Sequence, residues 1–217
     1  MAKNLLIIAG IFLFTCSMRT NNKESFEGII TYKITYTPKN PDKRYNDYQQ
    51  KKFGDTLVLY ISKNGDFKKE YPTSGEMGYD YYTYLTRTNK AYLKWRNQDT
   101  LATYDCSLNS LKIKSEIEKP SETIHNIVCK GYCITLVDSS NSRRPMLAIL
   151  TYYYPSNKEY IDPKLYTQHH DFFYNKTMNK IQAPYYKHTL DMGSYEVTFE
   201  LVKIQAKELS PVVFKIN

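Results

Sequence analysis

The chain has 217 residues, enough for one domain with a true core, and at this size roughly 70% of the unfolded surface is buried on folding. Glycine and proline are modest, at 8 and 9 residues, which excludes low-complexity and collagen-like classes. The formal charge of +8 comes from Lys and Arg scattered among acids, with no basic run longer than a pair, so it reads as a solvated surface and not as a nucleic-acid footprint.

The first residues read as an export leader. Lys3 is a short positive start, and residues 5–14 form an apolar run. A spanning helix needs about 20 such residues, so the run suits a signal segment instead. Leu13-Phe14-Thr15-Cys16-Ser17 resembles a bacterial lipobox, with Leu at −3 and Cys16 at the acylated position. Phe14 and Thr15 are bulkier than that motif's usual small residues, and an ordinary signal peptide cut a few residues later is the alternative. The expected organisation is a leader over 1–15, a polar linker over 16–25 and one domain over 26–217.

Residues 26–36 alternate, with Phe26, Gly28, Ile30, Tyr32, Ile34 and Tyr36 on one face, which predicts a half-buried strand. Residues 38–52 read as a polar loop with two prolines. Residues 56–62 and 67–71 predict strands around Asn64-Gly65, the favoured pair of a type I′ hairpin turn. Residues 79–86 and 91–95 form another expected hairpin around Thr88-Asn89. Residues 101–106 and 111–118 are short strands. Residues 124–137, the most apolar run outside the leader, read as a central strand followed by a turn over 138–144 and a strand over 146–154. Residues 156–180 look irregular, with one helical turn after Asp162-Pro163, where Asp caps and Pro fits the first position. Residues 186–192 and 195–201 alternate around Gly193-Ser194, and 212–216 would be a short last strand.

About ten strands at short spacing, without a long amphipathic helix, predict a mainly β chain. One apolar and one polar face per strand predicts a single antiparallel, strongly curved sheet, wet outside, with one or two short helical turns.

Three stretches resemble the GLPGLI-type exported proteins of Bacteroidota and their relatives, which are similar in fold to the LolA/LolB half-barrels. Phe26-Glu27-Gly28-Ile29-Ile30-Thr31-Tyr32 resembles the opening strand of that group. Ile124, Cys129 and Tyr132 fit its pattern Ile-x-Gly-x-x-Cys, with Asn126 replacing the Gly. Ile181-Gln182-Ala183-Pro184-Tyr185-Tyr186 resembles its entry into the last hairpin, and residues 197–204 with Phe214 its closing strands. The literal Gly-Leu-Pro-Gly-Leu-Ile run is absent, which makes the chain a relative and not a central member. The resemblance implies an open half-barrel with a short helical plug, and no catalytic residues.

Export places the cysteines in an oxidising compartment. Cys129 and Cys133 lie four apart on one strand, roughly 13 Å at ~3.3 Å per residue, beyond the reach of a disulfide unless the strand breaks at Gly131. Cys106 can pair with either, or all three can stay buried thiols; the resemblance favours Cys106 with Cys129. His169-His170-Asp171 is the one ligand-like cluster, but adjacent side chains in an extended segment point apart, so exposed loop histidines are expected. His125 and His188 read as half-buried strand residues. There is no Gly-x-Ser-x-Gly elbow, His-Glu-x-x-His or phosphate loop, so no enzyme, metal or cofactor is expected.

Tyrosine is the compositional outlier, at 22 residues against 9 Phe and 1 Trp. Tyr32, Tyr82, Tyr84, Tyr132, Tyr153 and Phe199 are the expected lining of an apolar groove with polar tips, against the alternative of ordinary cross-strand pairs. Two functional readings follow. The first is an exported, lipid-anchored protein of the periplasm or outer membrane that holds a lipid or acyl chain in its concave face. The second is a structural or interaction protein of the envelope whose sheet is filled by its own side chains. Oligomeric state leaves no mark in the sequence.

Overall fold

The computed structural model describes residues 23–138 and 146–216. The leader, Cys16 and most of the expected turn over 138–144 lie outside the described residues. Eleven strands form a single antiparallel sheet: β1 (Gly28–Pro38), β2 (Thr56–Ile61), β3 (Phe67–Glu70), β4 (Tyr79–Leu85), β5 (Lys90–Trp95), β6 (Leu101–Asp105), β7 (Lys112–Ile124), β8 (Ile127–Asp138), β9 (Met146–Pro155), β10 (Lys187–Asp191) and β11 (Tyr195–Ala206). The order is β6-β5-β4-β3-β2-β1-β11-β10-β9-β8-β7. The sheet's two edges, β6 and β7, are therefore consecutive in the chain. The link between them, residues 106–111, can span at most roughly 25 Å, so the sheet must curl until its edges approach. It remains unclosed, a single curved antiparallel sheet as the alternation predicts and open as the resemblance implies.

Period-two burial is clear in β1, β2 and β11, and the pairing register joins the strands into one inner face. Partners in an antiparallel ladder share a face. The register gives one inner row of Ile34, Phe199, His188, Tyr152 and Tyr132 from β1 across β11, β10 and β9 to β8. In the other direction it gives Ile30, Leu59, Lys69, Tyr82 and Leu93 from β1 to β5. Between neighbouring strands, Thr35, Thr198, Thr189 and Thr151 form a polar row on the outer face. Gly28 opens β1 because a Cβ there would collide with the Gln205 carbonyl of β11.

Several elements differ from the sequence reading. Residues 38–52 are not all loop: α1 (Lys43–Phe53) starts on Asp42, whose side chain accepts from the Arg44 N–H at 2.8 Å. Lys51 and Lys52 complement its C-terminal dipole. Only Phe53 is buried in it, so no apolar stripe announced the helix. The Asn64-Gly65 turn is present, but only Gly65 is left-handed, at φ 86°. The Ser62 N–H donates to the Asp66 carbonyl and the Gly65 N–H to the Ser62 carbonyl, a three-residue loop with a bulge instead of a type I′ turn.

Residues 124–137 are two elements, not one central strand. His125 and Asn126 both have positive φ, 48° and 61°, and turn β7 into β8. The resembled pattern has Gly where Asn126 stands, and Asn is the residue that best tolerates that left-handed position after Gly. His125 is exposed in this turn and not half-buried in a strand. The expected last strand is a 3₁₀ turn, Pro211–Phe214, capped by Ser210, because Pro fits its first position.

Residues 156–186 cross the inner face as a plug. The turn after Asp162 is present as Pro163–Tyr166. A second 3₁₀ turn, Asp171–Phe173, leads into α2 (Tyr174–Ile181), which the sequence reading missed. Phe172 and Phe173 both sit left-handed between them, which hid the helix start. Tyr166, Met178 and Ile181 are buried against the sheet. Hydrogen bonds tie the plug to the β6 side: the His170 and Asp171 N–H groups donate to the Cys106 carbonyl at 2.7 and 3.2 Å. Ion pairs tie it to β7: Lys180 to Glu118 at 2.7 Å and Lys176 to Glu116 at 3.8 Å. The segment thus bridges the two sheet edges.

Candidate functional site

The inner face is the candidate site. Tyr32, Tyr84, Tyr132 and Phe199 lie on it, and all four are buried. The Tyr32 ring stacks on Tyr185 with centroids 4.9 Å apart. Tyr84 lies beneath Tyr166 and His169, with its hydroxyl on the Asn89 side chain. Tyr132 packs on Tyr152 and donates to Glu116 at 2.9 Å. Tyr153 is a correction: it pairs with Gly131 and Lys187 and belongs to the outer face, because it is one residue out of phase with Tyr152. Tyr82 alone of the six remains half-buried on the inner face.

The cysteines do not pair. Cys106, Cys129 and Cys133 are buried free thiols. Cys106 follows edge strand β6 while Cys129 and Cys133 lie on β8, near the other edge of the sheet order. Burial pushes the Cys106 thiol up to about 12 and the Cys129 thiol up to about 11, so neither is a reactive thiolate.

The residues the sequence reading missed lie deeper. Lys69 and His188 of the inner face and Tyr174 and Tyr185 of the plug are half-buried. They meet where the plug packs on the sheet, Tyr185 on His188 at 5.2 Å and Tyr174 on Phe67 at 5.5 Å. Lys69 is placed there by register, in an inner row otherwise made of Ile30, Leu59, Tyr82 and Leu93. Its ammonium lies 5.6 Å from the centroids of both Phe67 and Tyr82. Among the described residues no carboxylate forms an ion pair with it; Asp171 acts on it only through space. Burial pulls its pKa down to about 8, which still leaves it charged at neutral pH.

The two inner histidines are neutral. Burial, reinforced by the Lys69 charge, holds His188 down to about 3. Its Nδ1–H donates to the Thr151 carbonyl at 3.1 Å, and its ring stacks on Tyr152 at 4.4 Å. His169 is a further correction. It is buried, not an exposed loop residue, and packs on Tyr84 and Tyr174 at 4.3 and 4.7 Å. Neither of its ring nitrogens has a hydrogen-bond partner, and burial pulls it down to about 4. His170 points elsewhere, its Nδ1 meeting Asn175, so the two histidines do diverge. No cluster of metal-ligating side chains occurs among the described residues.

Phe53 of α1 sits between Tyr79 of β4 and Tyr195 of β11, at 5.5 and 6.2 Å, and caps that end of the half-barrel. Beside it runs a groove of about 970 Å³ whose lining includes Ile34 and Tyr36, in phase with Tyr32 on β1. Tyr48 and Met77 line the same groove and are exposed, at 47% and 58%. An alternating Phe67-Lys68-Lys69-Glu70 was the available signal for Lys69, since its phase with Phe67 turns one lysine inward.

No protein-family model matches the chain, and no curated protein matches it in sequence. Three solved structures are similar in chain path. The lipoprotein LppX of Mycobacterium tuberculosis is 10% identical, with a TM-score of 0.36 over 85% of this chain and 89% of that one. A LolA superfamily protein of Nitrosomonas europaea is 8% identical, with a TM-score of 0.37 over 89% of this chain and 91% of that one. LprF of Mycobacterium bovis is 8% identical, with a TM-score of 0.33 over 85% of this chain and 89% of that one.

Proposed function

We propose that this chain is an exported, lipid-anchored envelope protein that receives an acyl chain between its plug and the inner face of its sheet. The observation that carries the ligand is the ring-rich inner face, where Lys69, Tyr82, Tyr174, Tyr185 and His188 stay half-buried instead of being packed away. Apolar rings with a few polar tips are the usual lining of small-molecule sites. The leader, the lipobox-like Cys16 and the resemblance to GLPGLI-type proteins support export and anchoring.

A second reading, an interaction protein with a self-filled sheet, is supported by the plug, whose Tyr166, Met178 and Ile181 already cover part of the inner face. Native mass spectrometry of the full chain, purified in a mild detergent, separates the two. The first reading expects a co-purifying acyl compound and uptake of radiolabelled palmitate after delipidation. A bare polypeptide mass with no palmitate uptake overturns it and leaves the second.

A further inference from the structure

We propose that Lys69 is the counter-ion for the head group of this ligand, which is a single-chain carboxylic acid with its carboxylate inside the half-barrel. The inference rests on the acyl-binding reading above. It starts from register. Strand pairing puts Lys69 between Leu59 and Tyr82 on the inner face, so its position is fixed by backbone hydrogen bonds and not by side-chain preference. Its neighbours on the same strand, Lys68 and Glu70, face outward and pair with each other at 2.8 Å. Lys69 has no such partner and meets two aromatic rings instead.

Lys69 is half-buried among rings, and a cation withdrawn from water is normally paired or hydrogen-bonded. The charged and titratable groups around this one do not neutralise it. Asp171 of the plug is near enough to act through space but forms no ion pair. His169 and His188 are neutral, and His169 brings two unpartnered ring nitrogens to the same region. The hydroxyls of Tyr82, Tyr174 and Tyr185 stay protonated, because burial raises all three. The interior therefore offers one positive charge, several donors and an apolar ring-lined wall. That set matches a monoanionic head followed by a hydrocarbon chain. It does not match a neutral lipid, which would leave the ammonium unpaired.

The test compares palmitate with hexadecanol, which have the same chain length and differ in charge. Binding is measured by calorimetry on the delipidated full chain, for the wild type and for Lys69→Met. The wild type should bind palmitate at least tenfold more tightly than hexadecanol. Lys69→Met should lose that preference, with palmitate weakened at least tenfold and hexadecanol unchanged. Equal palmitate binding by both proteins overturns the role of Lys69 while leaving the acyl site standing. Binding of neither compound by the wild type overturns the acyl reading itself. Should Lys69→Met fail to fold, the wild-type ratio decides alone: equal affinities for the two compounds remove the counter-ion.

Discussion

The Tyr32 hydroxyl donates to the Tyr185 carbonyl at 2.9 Å while the two rings stack, so a central strand holds the plug by both a polar and an apolar contact. Tyr32 is fully buried, and its pKa is raised by burial first and then by Tyr185. Tyr32→Phe should lower stability by about 1 kcal/mol, because it removes one buried hydrogen bond and keeps the ring. Tyr32→Ala should lose about 3–5 kcal/mol through the cavity it leaves. Urea unfolding followed by circular dichroism measures both, and equal effects would mean that the hydroxyl carries the contact.

Lys69→Met should leave the apo protein as stable or stabilise it, by at most about 3 kcal/mol, the free energy equivalent of pulling a lysine to about 8. The replacement keeps the apolar stem and removes the unpaired charge. A lower melting temperature for the ligand-free variant would show that the ammonium has a partner in the fold.

His169 and His188 make stability depend on pH. Both are held below the ordinary 6.5, at about 4 and about 3. Below pH 6.5 the unfolded chain binds more protons than the folded one, so stability falls as pH falls, and the loss continues until the folded values are reached. Between pH 7 and pH 5 each histidine should account for a loss of about 2 kcal/mol. His169→Phe keeps the ring contacts and breaks no hydrogen bond, so it should flatten this slope in urea titrations. An unchanged slope would locate the pH dependence in the carboxylates.

The ion pairs between α2 and β7 are exposed at Lys180, Lys176 and Glu118, and such pairs contribute little to global stability. Their role is local. Lys176→Ala with Lys180→Ala should leave the urea midpoint unchanged and speed amide hydrogen exchange over residues 174–181. Exchange that rises equally across the sheet would contradict a local role for these pairs.

Thiol titration tests the cysteine assignments. The folded protein should react slowly, since all three described thiols are buried. In denaturant without reductant they should titrate as free thiols, and a disulfide between Cys106 and Cys129 would remove two of them. Cys16→Ser should move the protein from the membrane to the soluble fraction, and persistence in the membrane would remove the lipid anchor.

Strand existence was legible because alternation is a local property of the chain. The inner faces of β1, β10 and β11 and the Gly193 turn follow from periods that each strand carries by itself. The Asp162 cap was legible for the same reason. The helices were not. α1 is polar nearly all round and forms because its cap and its Phe53 anchor fit the end of the half-barrel, and α2 forms because Thr177, Met178 and Ile181 find the sheet beneath them.

The sequence by itself determined a mainly β chain and the inward phase of its clearly alternating strands, such as β1 and β11. Only the tertiary structure decided which inward residues meet. The six candidate groove residues looked equivalent as rings in strands; four are buried, Tyr32 and Tyr84 against plug rings and Tyr132 and Phe199 against rings of neighbouring strands, strand phase turns Tyr153 outward, and Tyr82 stays half-buried on the inner face. Lys69 looked like one of many surface lysines until the register between β2, β3 and β4 set it in an apolar row. The physical reason is that burial of a side chain depends on what covers its face, and here the cover comes from residues about a hundred positions away in the chain.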